Sequence, residues 1–264
     1  MLQRVITAII ALAIALPVMI QGGTVFKLGI FIISLLALHE FLNVKQAKKE
    51  LPLFISLISY IMMALIVLSD SGSGISFTID FRILAGVFLV FLTPVVLYHD
   101  RSIYSVVDAF YLIGGIFFLG LSFSLLILVR NTGLNMLLYL FCISVFTDTY
   151  AYFVGYFIGK HPLTVISPKK TLEGMIGGTF FGVCISTLFF HVVVDPTLSI
   201  AAVIFMSLFL SVLSQFGDLV LSSVKRYYGV KDFSNLLPGH GGILDRFDSM
   251  IFLVLGFIFF LPII

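Results

Sequence analysis

Residues 106–129 read VVDAFYLIGGIFFLGLSFSLLILV. A run of this length and character decides the fold class. A helix that crosses a bilayer needs about 20 mostly apolar residues, because the hydrocarbon core is ~30 Å thick and each helical residue rises ~1.5 Å. A strand of a membrane β-barrel would alternate apolar and polar side chains over about 10 positions, whereas this run is apolar all round. The same criterion finds about nine such stretches, near residues 2–20, 25–43, 53–68, 83–97, 106–129, 134–158, 175–194, 198–220 and 250–264. The expected architecture is therefore all-α: a polytopic transmembrane helical bundle of about nine helices, forming a single integral membrane domain over residues 1–264.

Composition agrees. Hydrophobic residues make up 60% of the chain and charged residues 11%, with a mean hydropathy of +1.19, whereas about a quarter of the residues in a soluble globular chain are charged. Arg4, the apolar run behind it and the Ala13-x-Ala15 pair resemble a signal peptide. Eight further apolar segments make the chain polytopic, so the first is expected to remain as a membrane helix. Cys142 and Cys184 lie inside apolar segments without C-x-x-C spacing and read as small buried side chains. Trp is absent, so Tyr must supply any aromatic belt, and 29 Phe fill bundle and lipid faces.

Nine helices would put the N-terminus and the even-numbered loops on one face. That face carries Arg4, Lys45, Lys48, Lys49, Arg101, Lys160, Lys169, Lys170, Lys225, Arg226, Lys231 and Arg246, against Lys27, Arg82 and Arg130 on the other. The positive-inside rule makes the first face cytoplasmic, with the N-terminus inside and the C-terminus outside. The expected location is the inner (plasma) membrane. Both long polar connections, residues 159–174 and 222–249, fall on the cytoplasmic face. Ordinary positive-inside loops explain Lys45, Lys48 and Lys49, but not the acids mixed among the bases of the long loops.

Those acids are costly. A carboxylate at the bilayer centre costs roughly 2.5–3.5 kcal/mol on insertion scales, so Asp148, in SVFTDTYAYF, and Asp218, in LSQFGDLVLSSVKR, should face polar surroundings and have partners. For Asp148 a structural pair between helices is the alternative. Ser214 and Ser222 flank Asp218 at four-residue spacing and form one polar stripe. Asp245 and Asp248 are three apart and share a face if the last helix begins near Ile243. Capping carboxylates would account for the pair, but not for Arg246, His240 or the Gly239, Gly241 and Gly242 cluster. Glycines let a backbone approach a ligand and turn its N–H groups toward phosphate.

In combination, Asp218, Asp245 and Asp248 are hard oxygen donors suited to Mg²⁺, which takes one or two carboxylates and completes its shell with water and phosphate oxygens. Lys225, Arg226, Lys231 and Arg246 supply charge for a polyphosphate. The segment SPKKTLEG, residues 167–174, places Lys169 and Lys170 before a helix capped by Ser167, with Pro168 at the first helical position, or by Thr171. Together these residues suggest metal-assisted phosphate chemistry at the cytoplasmic surface, with the membrane supplying a lipid substrate.

From Ser222 to Asp248 the sequence SSVKRYYGVKDFSNLLPGHGGILDRFD resembles the signature of phosphatidate cytidylyltransferases, also called CDP-diacylglycerol synthases. The pattern is Ser, two residues, Lys-Arg, four residues, Lys-Asp, then Pro-x-His-Gly-Gly, two residues, Asp-Arg-x-Asp. With about a dozen fixed positions it is far more specific than a lone glycine motif. The resemblance extends to SQFGDL, SPKKTLEG and DTYAYFVGYFIGK, and so covers most of residues 131–264, which would carry the active site. Residues 1–130 contribute hydropathy alone and read mainly as scaffold.

The resemblance implies condensation of CTP with phosphatidate to CDP-diacylglycerol and pyrophosphate, with Mg²⁺ and room for a second cation. It implies Asp218, Asp245 and Asp248 as catalytic metal ligands. Lys169, Lys170, Lys225, Arg226, Lys231, His240, Gly241, Gly242 and Arg246 would bind substrate, supported by Asp148 and Ser222. His240 would contact phosphate or cap its turn. CTP, phosphatidate and membrane lipids are the expected partners; a homodimer is compatible with the resemblance, and no nucleic-acid partner is expected. An ion-coupled transporter would also bury carboxylates, but it has no need for lysines, arginines, glycines and acids gathered in loops. A CTP-dependent polyprenol kinase is the nearer rival by chemistry. The D-G-x-x-A-R motif of CDP-alcohol phosphotransferases is absent.

Overall fold

The computed structural model describes residues 2–46, 48–69 and 80–263. In order they form α1 (Leu2–Gln21), α2 (Gly23–Gln46), α3 (Leu53–Leu68), α4 (Phe81–Leu97), α5 (Val106–Thr132), α6 (Leu134–Ile158), α7 (Leu172–Phe189), α8 (Ile200–Tyr227) and α9 (Leu244–Phe257). A π-helical turn, Phe190–Val194, continues α7, and a 3-10 turn, Ile258–Ile263, continues α9. These nine helices among the described residues fall on the nine expected apolar stretches; Ile264, the end of the last stretch, lies outside them. Helices α2, α5, α6, α7 with its π-helical turn, and α8 are long and apolar enough to cross a membrane. This is a membrane protein. The apolar helices α3 and α4 have 16 and 17 residues, about 24–26 Å at ~1.5 Å per residue, shorter than the ~30 Å hydrocarbon core.

Most helix ends fall within a few residues of the hydropathy boundaries, and two lie six or seven residues away. Helix α8 runs past Val220 to Tyr227, and α9 begins at Leu244, ahead of residue 250. Hydropathy marks where apolar side chains stop, whereas a helix stops where its backbone bonding is closed. At α8 the closure is a Schellman motif: Val230 N–H donates to Lys225 O, Gly229 N–H donates to Arg226 O, and Gly229 takes the left-handed φ of +75°.

The chain divides into two compact units, Met1–Asn131 with Asp232–Asp245, and Thr132–Lys231 with Arg246–Ile264. In the first, α5 is largely enclosed, burying Leu112, Ile116, Leu119 and Phe123. Its Asp108 is 2% exposed and ion-paired with both Lys45 of α2 and Lys49. The Ser105 hydroxyl and N–H also donate to Asp108, at 2.7 and 2.8 Å. Lys45 further lies 5.0 Å from the centre of the Tyr111 ring. Replacing Lys45 with Met leaves Asp108 one ammonium short in a buried position, and is expected to cost about 2 kcal/mol. Thermal unfolding in detergent should show the loss as a lowered midpoint.

In the second unit α6 and α7 pack closely along their length. Small residues make this approach possible. A Cβ on Gly178 would stand 2.5 Å from the Thr147 carbonyl oxygen, and one on Gly174 would stand 2.6 Å from that of Ala151. The polar stripe expected on α8 is longer than Ser214, Asp218 and Ser222. It also includes Ser207, which bonds the Tyr139 hydroxyl at 2.7 Å, Ser211, which bonds the Thr147 hydroxyl at 2.8 Å, and buried Lys225. Positions 207, 211, 214, 218, 222 and 225 recur at three- and four-residue intervals and so share one helix face.

Candidate active site

The connection from α6 to α7 is folded back on itself. Leu163 N–H donates to Lys170 O at 2.7 Å, and Leu172 N–H donates to His161 O at 2.9 Å. Glu173 accepts from the N–H groups of Lys160 and His161 at 3.1 and 3.3 Å, and pairs with His161 Nδ1 at 2.6 Å. Of the two expected caps for α7, Thr171 is the one used: its hydroxyl accepts from Gly174 N–H at 3.1 Å. These bonds fix the backbone on both sides of Lys170, whose ammonium is ion-paired with Asp218 Oδ2. Lys169 points outward and is exposed.

Asp218 also accepts from the Ser222 hydroxyl one turn along α8, at 3.2 Å. Asp248 comes close because Gly217 has no side chain: a Cβ there would stand 2.6 Å from Asp248 O. Asp148, Asp218 and Asp248 lie within electrostatic reach of one another, with Lys170 beside Asp148 and Lys225 beside Asp248. Ser249 ties two of the acids together, its N–H donating to Asp248 Oδ1 at 2.8 Å and its hydroxyl to Asp148 Oδ2 at 3.4 Å. The second unit thus gathers Asp148 from the middle of α6, Lys170 from just before α7, Asp218, Ser222 and Lys225 from the C-terminal half of α8, and Asp248 from the start of α9. The neighbouring bases Arg226 and Arg246 are exposed, as is Lys231 after the helix; the Arg226 guanidinium donates to Val230 O at 2.9 Å.

The glycine-rich turn belongs to the first unit. Leu237 N–H donates to Gly241 O at 2.9 Å, His240 N–H donates to Leu237 O at 2.8 Å, and Gly239 and Gly241 take left-handed φ values of +78° and +82°. Asp245 Oδ2 accepts from the N–H groups of Gly242 and Phe233, both at 2.9 Å. A carboxylate in the first helical turn that reaches back in this way works as a capping box does. The residue that sequence reasoning missed is Glu40 of α2. Only 2% exposed, it accepts from the Ser234 hydroxyl at 2.6 Å and from Ile243 and Leu244 N–H at 2.8 Å each.

For a divalent cation the chemistry of the second-unit donors fits: carboxylate oxygens are hard ligands, and Mg²⁺ needs only one or two of them. Among the described residues no group of three or more His, Cys, Asp or Glu side chains is set to hold one ion. Asp148, Asp218 and Asp248 supply such oxygens, while Asp245 Oδ2 is engaged with its own turn.

The cytidylyltransferase family model matches residues 2–264. The phosphatidate cytidylyltransferase of Staphylococcus haemolyticus (strain JCSC1435) is 40% identical over 255 residues, covering 95% of each chain. Those of Staphylococcus epidermidis (strain RP62A) and Staphylococcus aureus (strain COL) are each 38% identical, again over 95% of each chain. The chain belongs to the cytidylyltransferase family, a family of nucleotidyl-transferring enzymes. The resemblance carried by residues 222–248 therefore extends along its whole length.

Proposed function

We propose that the protein transfers the cytidylyl group of CTP to phosphatidate, giving CDP-diacylglycerol and pyrophosphate. The observation that carries this is the Lys170–Asp218 ion pair, with Asp148, Asp248 and Lys225 within electrostatic reach. The relatives' name supports the choice of substrates. An oxygen of the phosphatidate phosphate attacks the α-phosphorus of CTP. A new P–O bond forms as the bond to the bridging oxygen of the β-phosphate breaks, and pyrophosphate leaves in line. A phosphate monoester with a second pKa near 6 is mostly dianionic at pH 7 and needs no general base, so catalysis consists of positioning and charge neutralisation. Lys170 and Lys225 hold phosphate oxygens, and the exposed Lys169, Arg226, Lys231 and Arg246 draw in the polyphosphate. Mg²⁺ on Asp218 and Asp248 would supply further neutralisation of phosphate charge.

The test is to incubate the purified protein with CTP, phosphatidate and Mg²⁺ and follow both products. Equal amounts of CDP-diacylglycerol and pyrophosphate are expected; release of CDP with a phosphorylated lipid would instead make the protein a kinase.

The site is proposed to face the cytoplasm, on the distribution of basic residues. In a background with Cys142 and Cys184 replaced, cysteines introduced at Lys48, Lys169 and Ser234 should resist an impermeant reagent added outside cells. One appended after Ile264 should react. External labelling at Ser234 would reverse the orientation.

A further inference from the structure

Glu40 is a buried carboxylate in a helix that otherwise reads as membrane scaffold, and the function proposed above leaves it without a role. Its partners come from both ends of one segment. Ser234 stands near the start of residues 232–245, and Ile243 and Leu244 stand near the end, with the whole Pro238–Gly242 turn between them. Oε1 accepts from Ser234 and Ile243, and Oε2 accepts from Leu244, so one carboxylate closes the turn like a clasp. Leu244 is the first residue of α9, the helix that carries Asp245 and Asp248. Three donors and the positive end of that helix hold the charge in a buried place.

Gly242 belongs to the same contact. Its φ is not left-handed, so the backbone there accepts any L-residue. A Cβ at this position would nevertheless stand 2.5 and 2.6 Å from the two Glu40 oxygens. The second glycine of the His-Gly-Gly motif thus leaves room for the carboxylate of a glutamate some two hundred positions earlier in the chain.

We propose that Glu40 is a positioning residue for nucleotidyl transfer: its carboxylate sets the Pro238–Gly242 turn and the first residue of α9. The proposal rests on the function given above. Only a carboxylate serves, because all the partners are donors. Glutamine has nearly the same shape, but whichever way its amide turns, its NH₂ group meets a backbone N–H.

The test uses the full-length protein in detergent, as Glu40→Gln, Gly242→Ala and the double variant. Losing hydrogen bonds to a charged acceptor should raise hydrogen exchange in residues 232–245 by roughly 10- to 100-fold, while exchange in α5 stays unchanged. A displacement of the turn by about 1 Å should lower kcat by about 10²-fold with a smaller change in the KM for CTP. Because both substitutions break one contact, the double variant should be no worse than the poorer single variant. Unchanged exchange in residues 232–245 of Glu40→Gln would overturn the proposal, as would additive losses in the double variant. A general rise that includes α5 would make Glu40 merely structural and would overturn it too. If Glu40→Gln does not accumulate, Gly242→Ala, which keeps the carboxylate and presses one methyl group against it, gives the same readouts. An inactive wild-type protein would instead remove the function proposed above, and the exchange measurements would still decide whether Glu40 holds the turn.

Discussion

Asp248→Asn is expected to lower kcat by about 10²- to 10³-fold, the usual loss when one charge of a preorganised site is removed. Asparagine keeps the side-chain oxygen that accepts from Ser249 N–H, and the Gly217 contact involves only the backbone at position 248. The packing of α8 and α9 should therefore survive, leaving charge as the difference. With Asp148 and Asp218 nearby, the substitution takes one carboxyl group from a cluster of three. If those charges hold a divalent cation, half-maximal activity will need several-fold more Mg²⁺. Production of CDP-diacylglycerol and pyrophosphate across a Mg²⁺ series, with the melting temperature as control, measures both effects. Near-normal turnover with the wild-type Mg²⁺ dependence would remove Asp248 from the reaction.

Lys170→Met should cost a comparable amount, about 10²-fold in kcat/KM, whereas Lys169→Ala should mainly raise the KM for CTP a few-fold. The two lysines are neighbours in sequence and differ in placement: Lys170 is ion-paired with Asp218, and Lys169 is exposed. Interactions made only in the transition state appear in kcat, and those made equally in the ground state appear in KM. The sign of the Mg²⁺ effect should also be opposite to that of Asp248→Asn. An ammonium on Asp218 competes with any other cation for the same oxygen, so Lys170→Met should lower the Mg²⁺ concentration that gives half its own maximal rate. Equal losses for the two lysines in kcat would mean that their different placements do not matter.

Long apolar runs announced every helix, because the bilayer criterion depends on length and hydropathy alone. Their polar ends were less legible. Lys225 and Arg226 read as loop by hydropathy, yet they continue α8 to its Schellman closure at Gly229. The choice between Ser167 and Thr171 as cap could not be made from residue types, since both are good caps; it is set by how residues 159–171 fold back. Lys170 and Asp218 were each singled out in the sequence, but their pairing depends on how α7 packs. Glu40 went unnoticed although the signal existed: a single acid in the apolar run LLALHEFLN, the same anomaly that drew attention to Asp148. What it holds lies so far along the chain that no local pattern could reveal it.

That separation governs how the protein is made. The first compact unit is interrupted: it needs residues 1–131 and then residues 232–245. Ser234 is 194 residues beyond Glu40, which a ribosome working at about 5–20 residues per second covers in roughly 10–40 s. Throughout that interval Glu40 has been made and its partners have not. The α6–α7 hairpin, whose contacts are local, can assemble meanwhile. The N-terminal helices must wait for the partners of Glu40 until nearly the last helix is made. Chains truncated and released before residue 232 should accordingly be substrates for membrane quality control, and full-length chains should escape it.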